Sequence, residues 1–259
     1  MSHPSIGFIG GGRIARILLG GWHCVGKQLS QVVVCEPDKA AFATLQSAAP
    51  YGTLVQGTAA QAAQQPIVFL AVHPPQVADV ASSVAGALGT DTIVVSLAPK
   101  VTISKLQDVL GGFERLARLI PNAPSLVGNG FNPIAWSNAL KDTDRKTIRD
   151  LMRPLGELPE VAEEKLEAYA IVAAMGPTYL WPQWLELESL ASEFGLQPDE
   201  ARRALKAMTV GAVDMLTSSH LTSDEVMSLI PVKPLGRFEP VLRTAYRTNL
   251  TALYEKIHP

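Results

Sequence analysis

The chain has 259 residues, 47% of them hydrophobic and 18% charged, with 22 basic against 24 acidic side chains and a net charge of −2. That length suits one large domain or two modest ones, and the composition excludes a disordered chain. The near-neutral balance lacks the basic stripe that a nucleic-acid partner needs, and no run reaches the ~18 apolar residues of a membrane span.

In chain order, Ser5–Ile9 reads as a strand and residues 11–25 as a helix. Between them lie three consecutive glycines. "QVVVC" (Gln31–Cys35) is a second strand, followed by a helix over "PDKAAFATLQSA", with Pro37 at its first position. "PIVFLAV" (Pro66–Val72), "DTIVVSLA" (Asp91–Ala98) and Arg115–Ile120 are further strands. They are continuously apolar, which suits a sheet covered on both faces. Strand–helix alternation predicts parallel pairing through right-handed crossovers. From about Glu163 the pattern becomes helical over Glu163–Phe194, Asp199–Ser218 and Glu239–Ile257. The expected organisation is a doubly wound α/β sheet over residues 1–160 and an all-helical domain over 161–259. Cys24 and Cys35 lie outside any CxxC spacing, so neither a disulfide framework nor a metal site is expected, and both read as buried small hydrophobes. Arg13 and Arg16 interrupt the first apolar run, which argues against a secretory leader. The expectation is a cytoplasmic protein with no membrane partner.

Gly10, Gly12 and Ala15 fit G-x-G-x-x-A between a strand and a helix. The first glycine permits the tight turn and the second lets a pyrophosphate approach the backbone. The small third residue brings helix and strand together. Amides at the helix start then face the anion. Arg13 either adds charge there or is an ordinary solvated residue. Glu36 ends the second strand, where a carboxylate accepts hydrogen bonds from ribose hydroxyls and repels a 2′-phosphate, which favours NAD over NADP. The plainer alternative for Glu36 is a solvated loop carboxylate.

Four segments, "IGFIGGGRIA", "VFLAVHPPQV", "RLIPNAPSLVGNG" and "AAMGPTY", come in an order and at intervals that resemble the pyrroline-5-carboxylate reductases. The resemblance spans residues 5 to about 220. It implies a Rossmann domain, a helical dimerisation domain, a homodimer or higher oligomer, and NAD- or NADP-dependent reduction of a small cyclic imine to proline. It implies cofactor contacts at Gly10, Gly12, Ala15, Ala71, Val72, Pro74 and Asn122 and substrate contacts at Gly176 and Pro177; Arg13, Ile14, Glu36 and His73 join the cofactor candidates, and Lys233 the substrate candidates, on their own position and chemistry. The chain departs from the pattern in four places. His73 stands where the family usually has lysine. Ala173 and Met175 replace two serines. Ile230–Pro240, "IPVKPLGRFEP", replaces a glycine-threonine-rich segment, and Cys35-Glu36-Pro37 replaces an Asn-Arg strand end. A substrate carboxylate needs donors: either backbone amides and Lys233 or Arg237 supply them, or the substrate differs, or catalysis is lost.

The catalytic candidates are His73, Asn122 and Lys233. His73 is either a proton donor or, the preferred reading, a polar lining residue. Asn122 either holds the carboxamide or a water, or simply serves turn chemistry. Tyr179, Trp181 and Trp184 read as interface aromatics, with Pro182 expected to loosen their helix. "ARRALKAMTVGAVDMLTSS" is apolar on more than one face and asks for a partner subunit. Two other functions are weighed. One is a β-hydroxy-acid dehydrogenase or similar Rossmann reductase, which would need a catalytic lysine such as Lys165 or Lys206. The other is a non-catalytic nucleotide-sensing or interaction protein on the same scaffold.

Overall fold

The computed structural model describes residues 4–258. The chain divides into two compact units: Met1–Met175 with Leu253–Pro259, and Gly176–Ala252.

The first unit is built on the strands β1 (Ser5–Ile9), β2 (Gln31–Cys35), β3 (Leu54–Gln56), β4 (Ile67–Leu70), β5 (Ile93–Ser96) and β6 (Leu116–Leu119). Two short strands, β7 (Gly130–Phe131) and β9 (Gly156–Glu157), pair with each other. β8 (Ile134–Trp136) joins the main sheet. The sheet order is β3-β2-β1-β4-β5-β6-β8, parallel throughout except for the antiparallel β6–β8 pair at one edge. The reversal of strand order between β1 and β4 is the switch point at which doubly wound sheets hold ligands. The Rossmann-like reading is therefore correct, with one antiparallel edge strand that the apolar runs did not announce.

The helices of this unit are α1 (Arg13–Cys24), α2 (Lys39–Ala48), α3 (Ala59–Ala63), α4 (Val77–Val84), α5 (Ile103–Val109), α6 (Asp142–Met152) and α7 (Leu166–Tyr169). They cover both faces, as the continuously apolar strands require. On one face Leu18, Leu19 and Trp22 of α1 pack with Leu45, Ile148 and Leu151. There Phe8 stacks on Phe69 at 4.9 Å, and Trp22 Nε1 donates to Leu151 O at 2.9 Å. On the other face Ala62, Val77, Ala81 and Leu106 pack against Ile9, Val68 and Val94.

Three expectations need correction. Pro37 is not the first residue of α2. Asp38 is the N-cap, accepting from Ala40 N and Ala41 N, so the proline lies outside the helix. The cysteines are not buried: Cys24 is exposed at the end of α1, and Cys35 is half-buried, with burial and the neighbouring Glu36 pushing its thiol pKa up. The helix expected over Glu163–Phe194 is broken. A 3-10 turn (Glu163–Lys165) leads into α7 and then a π-helical turn (Ala170–Ala174), where Met175 N donates to Ala170 O. Only after that does α8 (Gly176–Glu193) begin. Pro177 is the cause. It has no N–H to offer Ala173 O, and Asn122 Nδ2 donates to that carbonyl instead at 3.3 Å.

The segment 161–175 groups with the first unit rather than with the helices after it. Its anchor is Arg118 of β6, completely buried, which donates to Glu163 Oε1 (3.0 Å) and to the equally buried Glu167 Oε1 (2.5 Å). Leu166 and Ala170 add an apolar contact with Ile120, Ala135 and Ile257. The second unit holds α8, α9 (Pro198–Ser218), α10 (Ser223–Ser228) and most of α11 (Glu239–Ile257). α8 is continuous through Pro182. Ala201 of α9 is the second unit's one buried hydrophobic residue among those described.

Glu167→Ala would strand the buried Arg118 guanidinium beside a single remaining carboxylate, and should cost about 3–5 kcal/mol in urea unfolding. Glu167→Gln keeps an acceptor in place and should cost clearly less.

Candidate functional site

β1 ends on the glycine turn. Gly10 has φ +101°, a conformation that favours glycine, and a Cβ there would stand 2.6 Å from Ala71 O. Backbone bonds fix the turn on both sides. Gly10 N donates to Cys35 O (2.9 Å), and Ala71 N donates to Ile9 O (2.8 Å). The loops after β1, β2 and β4 are therefore locked together at the carboxyl edge of the sheet.

Gly12 is the N-cap of α1 and has no side chain to satisfy the first amides. No acidic residue stands in the first turn. The first backbone bond of the helix is Arg16 N to Gly12 O, so the amides of Arg13, Ile14 and Ala15 precede any acceptor within the helix. Around Gly12 a Cβ would meet nothing within 4 Å. Open space in front of unused amides at a helix N-terminus fits an anion such as a dinucleotide diphosphate. Ala15 is fully buried, as the small third position requires, whereas Arg13 is exposed.

Glu36 is neither free nor fully solvated. Its Oε2 accepts from Gly11 N (2.9 Å), its Oε1 accepts from Asp38 N (3.0 Å), and its own carbonyl accepts from Gln56 Nε2 (2.6 Å). The carboxylate is thus a fixed negative charge at the end of β2, bonded to the middle residue of the glycine turn.

Ala71 and Val72 are half-buried beside the turn, and Val72 Cγ1 would stand 3.1 Å from a Gly10 Cβ. His73 is exposed, precedes the 3-10 turn Pro74–Gln76 and makes no capping bond with its side chain. Asn122 is buried, and its side-chain amide is already engaged. Its Oδ1 accepts from Phe131 N (3.1 Å) and its Nδ2 serves Ala173 O (3.3 Å). Ser125 Oγ and Asn122 N both donate to Asn132 Oδ1, closing a buried polar knot under the loop after β6. That loop presses on α1 where the helix has glycines: a Cβ on Gly21 would stand 2.4 Å from Ser125 O. The sequence reading passed over this contact, and the doubled glycine Gly20-Gly21 inside an apolar helix was the signal for it.

The residues about the glycine turn, Gly10–Ala15, Glu36 and Ala71–Val72, thus come together within the first unit. Gly176 and Pro177 open the second unit. Lys233 also belongs to that unit and is exposed on the segment between α10 and α11. Among the described residues no cluster of side chains could hold a metal ion, and no helix is long and apolar enough to cross a membrane.

Residues 5–100 match the family model described as NADP oxidoreductase coenzyme F420-dependent. The pyrroline-5-carboxylate reductase of Escherichia coli (strain K12) is 30% identical over 195 residues, 74% of this chain and 71% of that protein. This chain belongs to the pyrroline-5-carboxylate reductase family. The family is one of NAD(P)-dependent oxidoreductases. The pyrroline-5-carboxylate reductase of Pseudomonas aeruginosa is 24% identical over 257 residues, covering 99% of this chain and 93% of its own. The fold matches that of the Plasmodium falciparum pyrroline carboxylate reductase solved with NADP bound, with a TM-score of 0.81 at 20% identity over 100% of this chain and 98% of that one.

The two turn glycines should respond unequally to the same change. Gly10→Ala forces a Cβ onto Ala71 O and should destabilise by about 2 kcal/mol or more. Gly12→Ala enters open space at an ordinary φ and should stay within about 0.5 kcal/mol of the parent in thermal or urea unfolding.

Proposed function

We propose that the protein reduces a small cyclic imine of the proline type with a nicotinamide cofactor, and that residues 1–160 carry the cofactor while 161–259 serve the substrate and the dimer. The observation that carries the reading is the unshielded amide cradle at Gly12, in a chain of the pyrroline-5-carboxylate reductase family.

In this reading the Arg13, Ile14 and Ala15 amides hold the diphosphate. Gly10 and Gly12 let it approach, and Ala71, Val72, His73, Pro74 and Asn122 border the remainder of the dinucleotide. The bound reduced nicotinamide supplies the hydride. The protein's own task is alignment and exclusion of water, because a protonated C=N is already electrophilic and needs no dedicated general acid. His73, exposed and without a capping bond, is a polar wall of the cofactor site rather than an obligatory proton donor. Asn122, with its amide engaged, acts by fixing the loop after β6. Gly176, Pro177 and Lys233 are the substrate contacts. Lys233 and backbone amides supply donors that Ala173 and Met175 cannot supply from their side chains.

Glu36 favours NAD over NADP. Its carboxylate is anchored by two amides and cannot swing away from a 2′-phosphate. Glu36→Ser should shift the ratio of NADP to NAD affinity upward by about tenfold or more, read by fluorescence titration of the reduced nucleotides; an unchanged ratio overturns this role. Proline-dependent reduction of NAD at high pH tests the reaction itself. Gly12→Ala should fold normally yet lose at least about tenfold in nucleotide affinity. Nucleotide binding without turnover would instead favour a sensor on this scaffold.

The functional form is a homodimer or larger oligomer formed through the helical unit. Leu185 (67% exposed), Val213, Leu216, Ile230 and Val241 are exposed there, and Trp181 and Trp184 line an apolar groove with Leu185 and Leu205. So much apolar surface on one unit is characteristic of an interaction face. Sedimentation should show a dimer or larger species at micromolar concentration, and a monomer would overturn the assignment. The setting is the cytoplasm: both cysteines are unpaired, as suits a reducing compartment.

A further inference from the structure

Lys100 is the sole non-glycine residue with positive φ (+72°) among those described. Glycine would adopt this backbone without strain, so a lysine here keeps a side chain at the cost of its conformation. The strain is held in place from behind. Lys100 N donates to the buried Glu167 Oε1 (2.9 Å), and Ile103 N donates to Glu163 Oε1 (2.6 Å). Arg118 fixes both carboxylates. The Lys100 amide in the loop after β5 and the Ile103 amide at the start of α5 are thus held by the Arg118 ion cluster, which determines where the Lys100 side chain departs.

That side chain borders a cleft of about 430 Å³ lined by Pro74, Pro75, Lys100, Val101, Thr102 and Lys105. The cleft lies beyond the carboxyl ends of β4 and β5, the edge on which open parallel sheets bind ligands. Two lysines and no acidic residue are among its lining residues. The Glu163 and Glu167 carboxylates are turned to the loop's amides and to Arg118. Lys100 Nζ donates to Lys256 O (3.2 Å) in the last turn of α11 and has further N–H groups to offer. The prolines and Val101 supply an apolar wall, and the ammonium groups supply the specificity.

We propose that this cleft is a subsite for a small oxyanion, the carboxylate or phosphate group of a small molecule, bound between Lys100 and Lys105. The proposal does not depend on the reaction proposed above.

The test titrates inorganic phosphate and succinate into the full chain by calorimetry, with NAD and NADP titrated separately, in the parent, in Lys100→Gly and in Lys100→Gly/Lys105→Ala. The parent should bind at least one anion with millimolar Kd. Lys100→Gly should weaken that binding about tenfold, the loss of one charge-assisted contact, and the double variant should abolish it. Glycine accepts the left-handed backbone, so the melting temperature should stay level or rise, and both nucleotides should bind as in the parent. No anion binding by the parent, or equal anion affinity in the parent and the double variant, overturns the proposal. A fall in nucleotide affinity in parallel also overturns it, because the lysines then meet a cofactor phosphate. A lower melting temperature with unchanged anion affinity overturns it too, and makes Lys100 a latch on the end of α11.

Discussion

The first unit depends on main chain meeting main chain around β1. A Cβ on Gly7 would stand 1.9 Å from Ala62 O, so α3 lies directly on the central strand. Three residues later Gly10 permits the same closeness to Ala71. Without side chains at these two points neither the helix nor the loop after β4 could approach, and the amide cradle at Gly12 would have no fixed place. The candidate cofactor site rests on this bare stretch of backbone.

A second constraint acts at the other end of the carboxyl edge. Arg118 is a charged residue in the interior of a buried strand, a position where an unpaired cation is prohibitively costly. Two carboxylates from the segment before the helical unit satisfy it, and the same oxygens that do so accept the amides of Lys100 and Ile103. One buried charge thereby ties β6, the loop after β5 and residues 163–167 together. Asn122 does comparable work nearby, supplying the donor that Pro177 cannot give to Ala173 O. The polar groups under this edge hold loops in place, which suits a reaction whose electrophile needs alignment more than acid–base help.

Much of this was legible in the residues. The apolar runs of β1, β2, β4, β5 and β6 and the G-x-G-x-x-A turn sufficed for a doubly wound sheet with a nucleotide edge, because burial on both faces leaves a continuous pattern. Asp38 as a cap was harder to see beside Pro37, since both residues begin helices. The short strands β3, β7, β8 and β9 escaped because two or three residues carry no periodicity. The break at Ala170–Ala174 escaped because residues 163–194 are helical in period throughout. Only the missing N–H of Pro177 marks the interruption.

The sequence by itself determined the sheet, the glycine turn, the presence of a carboxylate at the end of the second strand and the apolar excess of the late helices, since each depends on residues adjacent along the chain. Tertiary structure alone decided that Glu36 is bonded to Gly11, that the Asn122 side chain bridges Phe131 N and Ala173 O, that 161–175 packs with the sheet, and that Lys100 is held in a glycine's conformation. Each of those is a contact between residues distant in sequence, and geometry of that kind leaves no local pattern to read.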